Sequence, residues 1–317
     1  MKYFCCSLLC CMLACSSVST PGSFDLIDAD TPQVFAPGHI STNTHDEFGL
    51  SFDPDGKTIY FSRRLPGEKQ QLYTTSFSDG GWTPPQRLSI STDRDENALV
   101  SPDGQTLYFG SERPIPGRPN GGNFDMNLWQ SRRTDTGEWG EPTPLPSPIN
   151  EVQREGERWP LVNNSQLSTA DGTTFYYTTQ NRERPGIELY EVDRNAGGFG
   201  TPRRIEGLFD DPKHWINAAS ISPNGRYLVF NSYGAPGGSG GEDVYVSRRT
   251  ANGWSPARPL PVNSAKEESG PVFSPDGNYF FFTRTELDAD WNQIGTWDIY
   301  YVRTESLGLD SLFDGPN

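Results

Sequence analysis

The chain has 317 residues, of which 41 are Asp or Glu and 26 are Lys or Arg, so its formal net charge at pH 7 is −15. This acidic balance excludes nucleic acid as an expected partner, because binding to phosphates depends on clustered Lys and Arg. The 33 glycines, the 27 prolines and the aromatic content of 12% are typical of one all-β domain with many turns and an aromatic core.

The N-terminal segment has the pattern of a secretory signal. All five cysteines fall within the first fifteen residues, in an apolar stretch that follows Lys2. Within it, Met12-Leu-Ala-Cys15 is similar to the bacterial lipobox, in which the signal is cleaved before a cysteine that is then acylated. We therefore expect a signal peptide over residues 1–14, lipidation of Cys15 and a tether over residues 15–31. A soluble secreted protein cleaved elsewhere is the alternative.

Five copies of one turn motif organise the rest of the chain. They are Asp53-Pro-Asp-Gly56, Ser101-Pro-Asp-Gly104, Thr169-Ala-Asp-Gly172, Ser222-Pro-Asn-Gly225 and Ser274-Pro-Asp-Gly277. Proline presets φ for the first turn position and glycine takes the left-handed one, so each motif predicts a tight turn between two strands. Their glycines, at 56, 104, 172, 225 and 277, are 48, 68, 53 and 52 residues apart. That spacing is close to a propeller-blade period of roughly 40–50 residues.

Each repeat also contains further strand signals. An aromatic run follows the turn, then a second apolar pair, then an outer strand in which an aromatic residue precedes an aliphatic one by six positions; Trp82 and Leu88 are an example. Four strands make one blade. The fifth repeat lacks its outer strand, whereas residues 32–41 match that pattern ahead of the first repeat. We therefore predict a five-bladed, all-β propeller over residues 32–303, closed by an N-terminal outer strand and followed by a tail over 304–317.

The longest predicted loops share one face of this propeller, opposite the five turns. They comprise residues 112–125, 148–159, 233–241 and 287–296. Long loops on the rim of a rigid scaffold commonly carry binding residues, so we expect the functional face there.

Charged residues recur on the same face. Acidic residues precede the inner strands and arginines follow the second strands: Glu47, Glu96, Glu157 and Glu268 with Arg63, Arg113, Arg182 and Arg284. These residues are interpreted either as repeated ion pairs that fix neighbouring strands, or as a ring of carboxylates that binds a cation, a sugar or a basic peptide. Blade 4 breaks the pattern with His214, Trp215, Asn217 and Tyr233.

Three tryptophans fall in the loops of this face, whereas the other five belong to predicted strands and are expected to pack. Trp159, Trp215 and Trp291 are either a platform for a sugar ring or a peptide side chain, or cover for the cores of their own loops. The predicted ligand-binding residues are Glu47, Glu96, Glu157, Trp159, His214, Trp215, Asn217, Tyr233, Glu268, Arg284 and Trp291.

Catalytic interpretations have weaker support. A glycoside hydrolase needs two carboxylates about 5–9.5 Å apart, and no motif assigns them here. His45, His214 and Glu47 are candidate metal ligands without a local ligand motif. The segment Gly237-Gly-Ser-Gly-Gly241 matches the nucleophile-elbow pattern, but that chemistry requires a strand-to-helix turn. We expect no cofactor and no metal, and no motif indicates Ca²⁺.

In combination, these motifs resemble the TolB-like propellers built from "SPDG" repeats. The likeness is clearest in Gly240-Gly-Glu-Asp243-Val-Tyr245, Trp254-Ser-Pro256, Asn263-Ser and Glu268-Ser-Gly-Pro271 with the turn that follows. The resemblance implies a periplasmic binding or scaffolding module. We therefore expect a non-catalytic lipoprotein, anchored through Cys15 at the outer membrane, whose partner is an envelope protein or a glycan. A carbohydrate-active enzyme, either a glycoside hydrolase or a lyase, is the alternative.

Overall fold

A computed structural model describes residues 24, 26–117, 125–150, 163–180, 186–211 and 214–314, with the backbone alone for residues 163–165. Its regular structure is strand apart from one short 3₁₀ helix at Thr304–Leu307. No helix in these ranges is long and apolar enough to span a membrane. The strands, in chain order, are β1 (Gln33–Val34), β2 (Asp46–Phe52), β3 (Thr58–Arg64), β4 (Gln71–Ser78), β5 (Gly81–Trp82), β6 (Gln86–Arg87), β7 (Asp95–Val100), β8 (Thr106–Ser111), β9 (Asn127–Arg132), β10 (Thr143–Pro144), β11 (Asn163–Ser168), β12 (Thr174–Gln180), β13 (Ile187–Asn195), β14 (Gly198–Phe199), β15 (Arg203–Arg204), β16 (Ile216–Ile221), β17 (Tyr227–Tyr233), β18 (Glu242–Thr250), β19 (Gly253–Trp254), β20 (Arg258–Pro259), β21 (Glu267–Phe273), β22 (Tyr279–Leu287) and β23 (Gln293–Arg303).

The strands form five antiparallel sheets, which are the five predicted blades. From the central channel outwards, blade 1 contains β2, β3 and β4, blade 2 contains β7, β8 and β9, and blade 3 contains β11, β12 and β13. Blade 4 contains β16, β17 and β18, and blade 5 contains β21, β22 and β23. Blades 1, 3 and 4 end in two short outer strands where the sequence indicated one, because proline interrupts the ladder.

The N-terminal strand closes the ring, as predicted. β1 pairs with β23, placing Gln33 opposite Tyr301 and Val34 opposite Tyr300. The next residue, Phe35, is fully buried and donates its N–H to the carbonyl of Ile299 at 2.8 Å. Blade 5 thus combines an N-terminal strand with three C-terminal strands, which covers the outer edge of β23 and closes the ring.

Four of the five turn motifs form the same hydrogen bond. The glycine N–H reaches the carbonyl of the first motif residue at 2.8–3.1 Å in blades 1, 2, 4 and 5, and each glycine has a positive φ. In blade 3, the N–H of Gly172 bonds instead to the hydroxyl of Thr169 at 2.9 Å. The register of β11 against β12 in the same blade also shifts, between Asn163 and Leu167.

Neighbouring blades are joined by packed aromatic residues and by a repeated arginine contact. An arginine at the end of the third strand, or directly after it, donates to a tyrosine hydroxyl in the second strand of the preceding blade; the pairs are Arg133 with Tyr60, Arg194 with Tyr108, and Arg249 with Tyr176. The second strands are buried on both faces, as expected for the aromatic runs, and Tyr108, Phe175 and Phe230 are fully or almost fully buried.

The structure changes the prediction for residues 287–296 and adds packing contacts for the C-terminal tail. Residues 287–296 were predicted as a loop, but β22 and β23 continue into them and leave a short tip over residues 288–292. Asp288 stabilises this tip by accepting hydrogen bonds from the N–H groups of Asp290 and Asn292 at 2.8 and 2.9 Å. The C-terminal tail packs on blades 4 and 5, where Leu307 and Leu309 join the hydrophobic core.

Candidate functional site

The repeated acid and arginine pattern forms ion pairs inside the blades. In blade 1, Glu47 lies opposite Arg63, whose Nε donates to its carboxylate at 2.9 Å. Arg63 also donates to the carbonyls of His39 and Ile40, while Glu47 accepts the N–H of Thr42 at 3.1 Å. The pair therefore ties the loop before the inner strand to the blade.

Blade 5 repeats this arrangement with Glu268 and Arg284, whose Nε and carboxylate oxygen are 2.7 Å apart. Glu268 accepts the N–H of Ser264, and Arg284 donates to the carbonyl of Val262 at 2.7 Å. Both arginines also lie over aromatic rings of their own blade. Glu47 and Glu268 have no exposed surface, so the structure supports the structural interpretation of these pairs.

Blade 2 differs by one residue from the sequence-based pairing. Arg113 pairs with Asp95 and not with Glu96. The Nη2 atom of Arg113 is 2.8 and 2.9 Å from the two carboxylate oxygens of Asp95. Because successive strand residues point to opposite faces, Glu96 is directed towards the channel. There it pairs with Arg94 at 3.2 Å.

Burial is the largest influence on the pKa values of Glu47 and Glu268. It raises the pKa of Glu47 to about 7, although the N–H of Thr42 and the charge of Arg63 act in the opposite direction. Burial also raises the pKa of Glu268. The corresponding positions in blade 4 are Ile216 and Ser232, which lie opposite each other and carry no charge. Blade 4 thus breaks the pattern, as the sequence indicated.

A bulge in the inner strand of blades 1, 2, 4 and 5 forms the neck of the central channel. Gly49, Asn97, Ala218 and Gly270 occupy equivalent positions, with φ between 43° and 57°. Blade 3, with its shifted strand, contributes Gln166 to the same neck. Left-handed backbone at Asn97 and Ala218 costs about 1–3 kcal/mol each, so the surrounding blades must hold the neck in place.

A polar chamber of about 210 Å³ lies between this neck and the loop-rich face. Its lining includes the polar side chains of Gln70, Arg94, Glu96, Asn217, Asn231 and Glu242. The Oε1 atom of Gln166 is buried at the neck without a hydrogen-bond partner. The chamber therefore presents amide and carboxylate oxygens to whatever enters from the loop-rich face.

Glu242 is the carboxylate of this chamber that forms no ion pair with any described Lys or Arg. It accepts hydrogen bonds from the side chains of Asn231, Ser269 and Asn217, all of them neutral. Its own N–H donates to the carboxylate of Glu267 at 2.7 Å. Burial, together with the charge of Glu267, raises the pKa of Glu242 to about 7.

Exposed aromatic side chains lie on the same face. Tyr233 is directly opposite Glu242 in the register of β17 and β18, and its ring centroid is 5.6 Å from that of Trp291. Tyr233 is 46% exposed and Trp291 is 61% exposed. Trp215 is also 46% exposed and lies beside Gly186 of blade 3. The structure thus leaves these three aromatic side chains exposed, and their role in binding a ligand stays a prediction.

The remaining candidates lie elsewhere. The ring of His214 packs against Phe209, and that of His45 contacts the hydroxyls of Thr42 and Thr44. No group of three or more His, Cys, Asp or Glu side chains that could hold a metal ion occurs in the described ranges. The glycine-rich segment 237–241 joins two strands, and Asp243 accepts its N–H groups at 3.0–3.3 Å. Cys15, Glu157, Trp159 and Arg182 lie outside the described residues.

Below the neck, the channel widens into a second chamber of about 480 Å³ on the turn face. Apolar side chains such as Phe52, Val100 and Ile221 line it, and four of the turn prolines surround its opening. Phe24 covers part of this opening by stacking on Trp82, with centroids 5.7 Å apart. The two ends of the channel therefore differ in chemistry, and the polar end coincides with the loop-rich face.

Sequence reasoning did not select Glu242, Asn231 or Gln166. Glu242 belongs to the Gly240-Gly-Glu-Asp243 motif, which is part of the family likeness, so a signal was present. Gln166 had no comparable signal, because its place at the neck depends on the shifted inner strand of blade 3.

Comparison of the sequence with models of protein families gives no match, and comparison with curated protein sequences gives none. Solved structures do share the fold. A thermostable family-43 glycoside hydrolase has a TM-score of 0.53 at 13% identity, over 82% of this chain and 89% of that one. A protein assigned as TolB from Agrobacterium tumefaciens has a TM-score of 0.49 at 18% identity, over 81% of this chain and 90% of that one. TolB from Acinetobacter baumannii has a TM-score of 0.49 at 16% identity, over 82% of this chain but 55% of its own length. The likeness to the glycoside hydrolase, at 13% identity, shows the fold alone.

Proposed function

We propose that this chain is a non-catalytic lipoprotein of the bacterial envelope that binds a protein or glycan ligand through its loop-rich face. The lipobox-like sequence ending at Cys15 supports a lipid anchor, which we place at the outer membrane. The TolB-like repeat motifs favour a periplasmic binding module. The propeller scaffold by itself serves many functions, so this support comes from the motifs.

The observation that carries the proposal is the position of the polar chamber beneath exposed aromatic rings. Rings of Tyr233 and Trp291 offer apolar contact surface at the entrance, while amide and carboxylate oxygens below them offer directional hydrogen bonds. Four carboxylates on this face are already bound to arginines: Glu47, Asp95, Glu96 and Glu268. That arrangement favours recognition over acid–base chemistry.

The test is a pull-down from an envelope extract with the full-length chain, its Trp215→Ala/Trp291→Ala double variant and an Ile27→Ala control. Ile27 is 62% exposed and lies beside Tyr301 of blade 5. It is therefore away from the exposed rings of the loop-rich face. We expect the parent and the control to capture the same protein or glycan, and the double variant to capture at least ten-fold less of it. Failure of the parent to capture a ligand, or equal capture by all three, would contradict the proposal.

A carbohydrate-active enzyme is the second candidate, and Glu242 is the observation that favours it. A carboxyl group with a pKa of about 7 has the property of a general acid. Hydrolysis of a glycosidic bond requires a second carboxylate about 5–9.5 Å away, and Glu96, which also lines the chamber, is engaged by Arg94. Shortened products from envelope glycan fragments, absent with Glu242→Gln, would establish the enzyme and overturn the binding-only function.

A further inference from the structure

The polar chamber contains negative charge that the described residues do not neutralise. Glu96 is paired with Arg94, whereas Glu242 has only neutral hydrogen-bond partners and lies next to Glu267. Glu267 is 7% exposed and accepts the N–H of Glu242. Carboxylates taken out of water are normally paired with a cation. Glu47, Asp95 and Glu268 each have an arginine partner, whereas Glu242 and Glu267 form no ion pair with any described Lys or Arg.

The chamber also contains a buried hydrogen-bond acceptor that has no donor. The Oε1 atom of Gln166 is buried without a partner, which is uncommon for a polar atom in a folded protein. The carboxylate of Glu242 is an acceptor when ionised. An ammonium group supplies three donors and no acceptor, so it matches this lining.

The aromatic rings at the entrance can contact the aliphatic part of a ligand that carries an ammonium group. Tyr233 and Trp291 place their rings 5.6 Å apart at a tilt of 46°. Trp291 has a φ of 65°, a left-handed conformation that the Asp288 tip imposes. Lysine packs its methylene stem on apolar surfaces while its ammonium stays in a polar environment, and aromatic faces attract cations.

The size of the chamber limits what enters it. Its volume of about 210 Å³ lies below the roughly 300–1,000 Å³ typical of pockets for drug-sized ligands. A single side chain fits this volume better than an oligosaccharide does. The net charge of −15 additionally favours approach of a basic surface.

We propose that the polar chamber receives the side chain of an exposed lysine from a partner protein, with its ammonium group at Glu242 and its methylene stem against Tyr233 and Trp291. This inference rests on the proposed binding function and specifies its ligand. Insertion of the side chain supplies the cation that Glu242 and Glu267 lack.

The test compares two peptides, Nα-acetyl-Gly-Lys-Gly-amide and the same peptide acetylated on Nε, titrated into the full-length chain by calorimetry at pH 8 and pH 5.5. Acetylation removes the charge and keeps the stem. We expect at least ten-fold tighter binding of the free lysine peptide at pH 8, and weaker binding at pH 5.5. The amine stays protonated at both values, so the change reports the chamber itself, where Glu267, Glu96, Arg94 and Tyr233 are the other ionisable groups.

Two variants locate the effect. Glu242→Gln should weaken binding of the lysine peptide at least ten-fold, whereas the control Glu286→Gln should leave it unchanged, because Glu286 is half-exposed and paired with Lys266 at 3.0 Å. Equal affinity for the two peptides, or unchanged affinity in Glu242→Gln, would overturn the inference. If glucosamine binds and the lysine peptide does not, the ligand is an amino sugar and the lysine assignment is wrong. A ligand captured in the pull-down and retained by Glu242→Gln would leave the binding function standing while this inference fails.

Discussion

Glu242 should make the folded protein less stable as the pH rises. Burial raises the pKa of its carboxyl group from 4.5 to about 7, and the charge of Glu267 adds to the effect. In the unfolded chain the group titrates at its ordinary value. Between pH 4.5 and 7 the folded state therefore binds more protons than the unfolded state, so the free energy of unfolding falls with rising pH and levels off above pH 7.

The size of this effect follows from the pKa difference. At about 1.4 kcal/mol for each pKa unit, the Glu242 carboxyl lowers the free energy of unfolding by about 2.5 kcal/mol between pH 5 and pH 8. Glu242→Gln replaces it with a neutral group of similar shape that still accepts a hydrogen bond from Asn231. We expect the variant to gain about 2.5 kcal/mol relative to the parent on going from pH 5 to pH 8.

Urea unfolding at pH 5, 6.5 and 8, followed by tryptophan fluorescence, measures this difference. Glu47, whose pKa is also raised to about 7, contributes equally to both proteins and cancels. Glu286→Gln serves as the control and should shift stability by less than about 1 kcal/mol at every pH, as expected for an exposed ion pair. A difference between the parent and Glu242→Gln that does not change with pH would refute the reasoning. A difference that changes in the opposite direction would show that a cation already pairs with Glu242.

Three further substitutions test the fold. Arg113→Met leaves Asp95, which is fully buried, without its cation, and should lower the free energy of unfolding by about 3–5 kcal/mol in urea titrations. Phe35→Ala should cost about 3–5 kcal/mol and promote aggregation seen by light scattering, because it loosens the strand that closes the ring; a monomer of unchanged stability would contradict this closure. Gly240→Ala adds a Cβ that overlaps backbone carbonyl oxygens, whereas the nearest atom to a Cβ at Gly81 is 3.9 Å away. We expect Gly240→Ala to lower the free energy of unfolding by about 1–3 kcal/mol and Gly81→Ala to lower it by less. Equal melting temperatures of the two variants would show that the loop around Gly240 relaxes freely.

Local patterns were sufficient for the architecture. The turn motifs could be located because proline and glycine restrict φ at fixed positions whatever the rest of the chain does. The ring closure by residues 33–34 was also predictable, since a repeat that lacks one strand at its C-terminus must obtain it elsewhere. The paired outer strands and the extended β22–β23 hairpin were not predictable, because their hydrogen bonds depend on neighbouring strands.

The sequence alone therefore determined the blade number, the turn positions and the face that carries the long loops, because these follow from local backbone preferences and from the repeat. Only the tertiary structure decided which acidic side chains are available. Asp95 and Glu96 are adjacent in the chain, but strand alternation sends the first to Arg113 and the second to the channel. Glu242 has no cationic partner among the described residues because of the side chains that three neighbouring strands place around it. Such encounters between distant residues depend on register and blade packing, which short sequence patterns do not encode.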